Sequence, residues 1–348
     1  MAISYKKTSN DLVASLPPRT KNIIVERFGL QTGTPKTLDS IGRRNGITRE
    51  RVRQIVEDGL SSLRSKIEQE QKKHAVEQVF RQFSQTLQGA GSLKREDLFL
   101  DSLGAKDEAP YVIFLLNLGD QFENQRETID FYPFWANRKE IVSQAPEFHN
   151  SVRSHLLKQK QSIPFDELKK AYVEKKIGRN GVRLPLSTFS SFLETSKHIM
   201  QGYDRKWGLR EWPEVNPKGI KDKAYVALRN TGKPLHFRDV AVLIAELQEV
   251  LGITSKRVLP QTVHNELIKD NRFVLVGRGM YALNEWGYSA GTVKDVLRVL
   301  LRKHKALAKQ ELINLVKKER QVKDSTILLN LQDKNIFTKD TQGRYYIS

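Results

Sequence analysis

Residues 37–60 read Thr37-Leu-Asp-Ser-Ile-Gly-Arg-Arg-Asn-Gly46-Ile-Thr48-Arg-Glu-Arg-Val-Arg-Gln54-Ile-Val-Glu-Asp-Gly-Leu60. A first helix is expected over Leu38–Asn45, with Leu38 and Ile41 turned inward. Gly46 suits the left-handed residue that ends such a helix. Ile47 plugs the turn, and the Thr48 hydroxyl can cap a second helix. Along that helix Val52, Ile55, Val56 and Leu60 recur at helical spacing and face a core. Arg49, Glu50, Arg53 and Gln54 are left on the outward face, near the helix start. A recognition helix enters a major groove in this way, with polar forks at its N-terminal end. Arg matches the edge of guanine, Gln that of adenine, and Glu accepts from cytosine. The alternative is a solvated, charged helix in a structural bundle.

The rest of the chain agrees with a polyanionic partner. Of 348 residues, 59 are Lys or Arg and 40 Asp or Glu, a formal charge of +19. A membrane surface is the rival partner for such a balance. However, no apolar run of spanning length and no basic amphipathic stretch with a greasy face is visible. The start, Met1 to Asn10, is polar and lacks the apolar centre of a signal peptide. There are no cysteines, so disulfides, thiolate metal sites and cysteine nucleophiles are excluded. We therefore expect a soluble cytoplasmic, nucleoid-associated protein. The charge concentrates at the ends. Residues 1–74 hold 15 basic and 8 acidic side chains (+7), residues 75–215 hold 20 and 19 (+1), residues 216–288 hold 11 and 7 (+4), and residues 289–348 hold 13 and 6 (+7).

A pattern of aliphatic-x-x-x-acid-aliphatic recurs four times: Leu93…Asp97-Leu98, Ile163…Glu167-Leu168, Leu235…Asp239-Val240 and Leu307…Glu311-Leu312. The starts lie 70, 72 and 72 residues apart by subtraction. An amphipathic stretch precedes each copy: Val76–Leu87, Val152–Lys158, Lys221–Arg229 and Val293–Arg302. A second helix follows, its early acid complementing the positive helix N-terminus. Then come a third helix and a β-rich, aromatic end: Ile129–Trp135, Lys206–Trp212, Phe273–Trp286 and Ile336–Ile347. The clearest hairpin signal is Phe273–Leu283, two alternating strands around Gly277-Arg-Gly279.

Helix, short strand, helix, helix, hairpin is the order of a winged helix. The expected fold class is mainly α with small β-hairpins: an N-terminal helix-turn-helix domain over 1–74, then a tandem array of winged-helix units over 75–139, 140–215, 216–288 and 289–348. One large α+β domain with accidental periodicity is the alternative. The unit 75–139 fits least well, because its third helix, Tyr111–Leu118, is unusually greasy.

Two stretches resemble known families. Leu16-Pro-Pro-Arg-Thr-Lys-Asn-Ile-Ile-Val-Glu-Arg-Phe-Gly29, followed by Thr37-Leu-Asp-Ser-Ile-Gly and Thr48-Arg-Glu-Arg-Val-Arg-Gln-Ile, resembles region 4 of the primary sigma factors over about residues 12–66. In that family the module binds the upstream promoter element and docks on the RNA polymerase flap. The resemblance implies base contacts from Arg49, Glu50 and Gln54, and mainly phosphate or supporting contacts from Arg51 and Arg53. Thr48, Arg43 and Arg44 complete the expected DNA-binding set at this end; Lys339 and Arg344, in the last hairpin, are expected on the DNA backbone.

Residues 218–288 resemble the HARE winged helix of the RNA polymerase delta subunit and of various chromatin and restriction proteins. The resemblance rests on Ala224-Tyr-Val-Ala-Leu, Pro234-Leu-His-Phe-Arg-Asp-Val-Ala, Thr262-Val-His-Asn-Glu-Leu-Ile and Arg272-Phe-Val-Leu-Val-Gly-Arg-Gly-Met-Tyr-Ala-Leu. It implies a role on polymerase or DNA. The acidic tail of delta subunits is missing, as is any segment like the aromatic-rich helix with which sigma factors melt promoters.

No enzyme, cofactor, metal or small-molecule site stands out. Seven histidines are scattered; His236 and His264 are expected to cap a helix or sit in a core. Gly89-Ala-Gly91 reads as a turn, and Gly277 and Gly279 as hairpin glycines. Trp135, Trp207, Trp212 and Trp286 read as core or wing residues. The leading expectation is a DNA-binding transcription factor or divergent sigma-like initiation factor, with double-stranded DNA and RNA polymerase core as partners. The alternatives are a polymerase-binding adaptor, favoured by the near-neutral middle and its greasy helix, and a DNA-targeting subunit of a restriction or defence system.

Overall fold

The computed structural model describes residues 4–69, 73–174, 186–253, 257–288, 291–320 and 322–347. Residues 1–3 of the polar N-terminal stretch lie outside these. The protein is mainly helical with small antiparallel sheets. It divides into two compact units, residues 1–200 with 207–209, and residues 201–206 with 210–348.

The first unit begins with α1 (Tyr5–Val13), α2 (Pro18–Phe28), α3 (Leu38–Asn45) and α4 (Arg49–Gln69). Pro18 opens α2, where a missing N–H costs nothing. Thr37 caps α3, its hydroxyl accepting from Ser40 N at 3.2 Å. There follow α5 (Lys73–Gly89), β1 (Leu93–Arg95), α6 (Glu96–Ser102), α7 (Ala109–Leu118), β2 (Glu123–Gln125) and β3 (Phe134–Ala136), with the three strands in the order β1-β3-β2. The expected β-rich end Ile129–Trp135 thus supplies only its last residues to a strand. β2 starts earlier, and the intervening loop leaves Ile129 exposed.

A single apolar cluster runs from Tyr5 to Trp135 and takes in α1, α2, α4, α5 and α7. The greasy helix α7 is its centre, with Val112, Phe114, Leu115, Leu116 and Leu118 all buried. Tyr111 Oη donates to the carbonyl of Leu30, Arg64 donates to the carbonyls of Asn117 and Leu118, and the Phe114 ring meets Phe28 edge-on at 5.3 Å. The protein contact expected of this helix is therefore made within the chain.

The unit closes with α8 (Lys139–Gln159), α9 (Phe165–Val173), α10 (Leu186–Thr195), and the hairpin strands β4 (Ile199–Gln201) and β5 (Trp207–Leu209). α10 lies against the Gly89–Gly91 turn, where Thr188 Oγ1 donates to the Gly91 carbonyl at 2.6 Å.

The second unit holds two modules, each with its own apolar cluster. The first is α11 (Gly219–Thr231), β6 (Leu235–His236), α12 (Phe237–Val250), α13 (Pro260–Lys269), β7 (Phe273–Gly277) and β8 (Met280–Leu283), with strand order β6-β8-β7. Gly279, in the β7–β8 turn, has φ +71°, and a Cβ there would come 2.5 Å from the His236 ring. Only glycine meets both demands. His236 caps α12 through Nδ1, 3.3 Å from Arg238 N, and His264 packs tilted against Phe237 and edge-on to Tyr281. The last module is α14 (Val293–His304), α15 (Lys309–Glu319), α16 (Asp324–Leu331), β9 (Phe337–Lys339) and β10 (Tyr345–Ile347).

The aliphatic residue that starts each sequence repeat plays one structural part. Leu93 pairs with Ala136, Ile163 bridges Trp207, Leu235 pairs with Tyr281, and Leu307 bridges Tyr345. In every case a short strand or a single β-bridge ahead of a helix joins the last strand of the following hairpin. No helix among the described residues is long and apolar enough to cross a membrane.

Candidate nucleic-acid interface

The α3–turn–α4 segment is built by local rules. Gly46 sits at φ +64°, and the N–H groups of Gly46 and Ile47 both turn back to the Gly42 carbonyl. Thr48 Oγ1 accepts from Arg51 N at 3.1 Å, starting α4 without a gap in its hydrogen bonds. Ile41 and Val52 are fully buried, with Ile23, Ile55 and Val56 around them and Leu38, Ile47 and Leu60 partly covered. Burying each such side chain contributes about 1.5–3 kcal/mol. That cluster fixes which face of α4 turns outward.

Arg49, Glu50, Arg51, Arg53 and Gln54 are all exposed, as are Thr48, Arg43 and Arg44. Their partners differ. Arg53 chelates Glu50 through Nε and Nη2 (3.0 and 2.6 Å) and also bonds Glu57. Those bonds raise the Arg53 pKa, and the Arg53 guanidinium holds the Glu50 carboxyl below its usual range. Arg51 Nη1 donates to Gln54 Oε1 at 3.1 Å, and the Gln54 side chain also bonds the Glu50 carboxylate. Arg43 pairs with Asp39 at 2.8 Å and Arg44 with Glu26 at 2.6 Å. Arg49 has no ion pair among the described residues. The face therefore offers Arg49 directly, with Glu50, Arg53 and Gln54 held in a bonded set beside it.

Residues 12–65 match the family described as Sigma-70, region 4. The matched stretch takes in α2, α3 and most of α4. It is similar to the RNA polymerase principal sigma factor HrdD of Streptomyces coelicolor, 44% identical over 55 residues, or 16% of this chain and 17% of the relative's length. The RNA polymerase sigma factor SigA of Listeria monocytogenes is 39% identical over 72 residues, 21% of this chain and 19% of the relative's. The chain thus spans under a fifth of the length of these relatives.

The C-terminal residues expected on DNA, Lys339 and Arg344, lie in the last hairpin with partners of their own. Lys339 ends β9 with its ammonium 4.9 Å from the centre of the Tyr345 ring. Arg344 lies in the β9–β10 turn, bonded to Asp340 at 2.8 Å. Lys317 is paired with Asp324 at 2.5 Å.

A cleft beside α4 joins Arg53 to charged residues that no sequence motif singled out. It measures about 420 Å³ and is lined by Arg27, Arg53, Glu57, Arg64, Glu96 and Arg126, with Trp135 at its wall. Arg27 and Arg126 lie almost a hundred residues apart, so no local pattern announces them. Trp135 Nε1 donates to Glu96 at 2.9 Å; burial raises the Glu96 carboxyl pKa, partly offset by that bond. Among the described residues no three of His, Asp and Glu gather as a metal ion would need.

Proposed function

We propose that this protein is a DNA-binding transcription factor or divergent sigma-like initiation factor. It reads promoter-type duplex DNA through the N-terminal turn of α4 and works with RNA polymerase core. The observation that carries the reading is the exposed run Arg49–Gln54, presented from a buried cluster inside the stretch that matches Sigma-70 region 4. Arg49, Glu50 and Gln54 contact bases, while Arg43, Arg44, Thr48, Arg51 and Arg53 contact phosphate or support the others. The relatives' names speak for a polymerase partner.

The remaining modules, 75–139, 140–215, 216–288 and 289–348, are winged-helix units, the third of HARE type. Support comes from the order helix, strand, helix, helix, hairpin and from the common pairing of the four repeat aliphatics with the closing strand. Lys339 and Arg344 add only weak backbone contacts, because each is already engaged within its own hairpin. The chain binds closed duplex and leaves strand opening to another factor.

Binding-site selection from a random duplex library tests the base-reading claim. A single enriched motif is expected with the intact chain, and a changed or relaxed motif with Arg49→Ala and Gln54→Ala. An unchanged motif at unchanged affinity in both variants would remove these residues from base reading. Permanganate reactivity with core polymerase tests the opening claim. Reactive thymines with these two components alone would make the chain a complete initiation factor.

A further inference from the structure

We infer that the cleft between α4 and the β2–β3 hairpin is a phosphate seat, in which Arg27, Arg53 and Arg126 grip the backbone of the duplex that α4 reads. This rests on the proposed reading of α4 as the DNA-facing helix. Four guanidiniums and two carboxylates line the cleft, an excess of two positive charges. The acids are already engaged, Glu57 by Arg53 and Glu96 by the Trp135 indole. Arg27 donates to the Lys36 carbonyl at 2.9 Å but, like Arg126, has no ion pair among the described residues. Burial first, and then the charge of Arg126, push the Arg27 pKa down. Two like charges facing one cleft, neither in an ion pair among the described residues, are costly in a partly desolvated setting and favour an anion between them.

The place of the cleft identifies that anion. Arg53 and Glu57 lie one turn apart on α4, Arg53 among the residues aimed at base edges and Glu57 one turn further along. A groove holding the start of a recognition helix is bounded by phosphates, which the following turn of the helix meets. Arg53 then exchanges the Glu57 carboxylate for a phosphodiester. Arg126, at the end of β2, approaches the same strand from the second module. The hairpin β2–β3 thus becomes part of the DNA-binding surface, and the rigid packing of α7 holds it in register with α4.

The test uses the intact chain and a labelled duplex carrying the selected site, with affinity measured from about 50 to 200 mM salt. Arg126→Ala should weaken selected and scrambled duplexes alike and reduce the slope of log K against log salt by about 1, the loss of one phosphate contact. Glu57→Gln should tighten both by a few-fold. Arg126→Ala with wild-type affinity and slope would overturn the seat, even while Gln54→Ala still alters the motif. Inorganic phosphate titrated in the same buffer separates the sources of the anion. Phosphate binding that depends on Arg126 while the duplex slope stays unchanged would make the cleft a free-anion site and sink the proposal. An oligoglutamate peptide showing the same dependence, again without a duplex effect, would assign the cleft to an acidic protein and also sink it. Failure of the wild type to bind any duplex would instead defeat the reading of α4 itself.

Discussion

Residues 1–74 and 289–348 carry the same excess of charge, +7 each, yet they present it differently. At the N-terminal end the apolar cluster around Ile41 and Val52 turns the polar side chains at the start of α4 into solvent, and Arg49 has no ion pair there among the described residues. At the C-terminal end the named cations are engaged close to home. Arg344 closes its own turn on Asp340, Lys339 lies over Tyr345, and Lys317 holds Asp324. A count of Lys and Arg treats the two alike. Binding strength depends instead on how many cations can reach a phosphate without first breaking a bond of their own.

The largest expected effect concerns the sum of these charges. Duplex binding by the whole chain should fall roughly a thousandfold between 50 and 200 mM salt, as about six neutralised phosphates require. Fluorescence anisotropy over that range checks it. A slope corresponding to only one or two phosphates would leave α4 too small a footprint and would break the contrast between the ends.

Stability sharpens the comparison next. Ile41→Ala empties a fully buried site in the helix-turn-helix cluster, and Leu297→Ala does so in the last module. Each should cost about 2–5 kcal/mol of unfolding free energy. Only Ile41→Ala is expected to abolish sequence-selective binding; denaturant melts paired with the selection assay decide it. Equal loss of selectivity in Leu297→Ala would place DNA reading at both ends.

The first unit should also respond to pH. His149 is buried, bonded to the Phe192 carbonyl, and held down to a pKa of about 4, chiefly by desolvation. Its folded pKa lies below the unfolded value, so the unfolded chain takes up the proton first. Stability is then full above pH about 6.5 and is lost as pH falls towards 4, by about 3 kcal/mol in all. His149→Gln should flatten that slope in melts recorded across the window. An unchanged slope would mean that another group in the unit takes up the proton.

The smallest effects separate the two ends residue by residue. Arg49→Ala and Gln54→Ala should each weaken the selected site by about 1–3 kcal/mol and leave scrambled DNA nearly untouched. Arg344→Ala should change either affinity by less than about 0.5 kcal/mol, because its ion pair with Asp340 must be given up before it can serve DNA. Competition binding against scrambled duplex measures both. A larger loss from Arg344→Ala than from Arg49→Ala would reverse the comparison.

What the sequence determined by itself was local. Thr48 as a cap, Gly46 as the left-handed stop, and the spacing of Val52, Ile55 and Val56 placed α3 and the start of α4 where they lie. Each of those signals acts within one or two helical turns, so it is written in neighbouring residues. The hairpin at Gly277–Gly279 and the repeated aliphatic residues were legible for the same reason. The tertiary structure alone decided what α7 packs against, that Arg27 and Arg126 share a cleft, and which cations have partners. An apolar helix states that it must be covered but not by what, since burial has no direction. Charges likewise state their sign but not their neighbours, and a pairing such as Arg64 with Asp120 at 3.0 Å exists only once α4 and α7 are packed together.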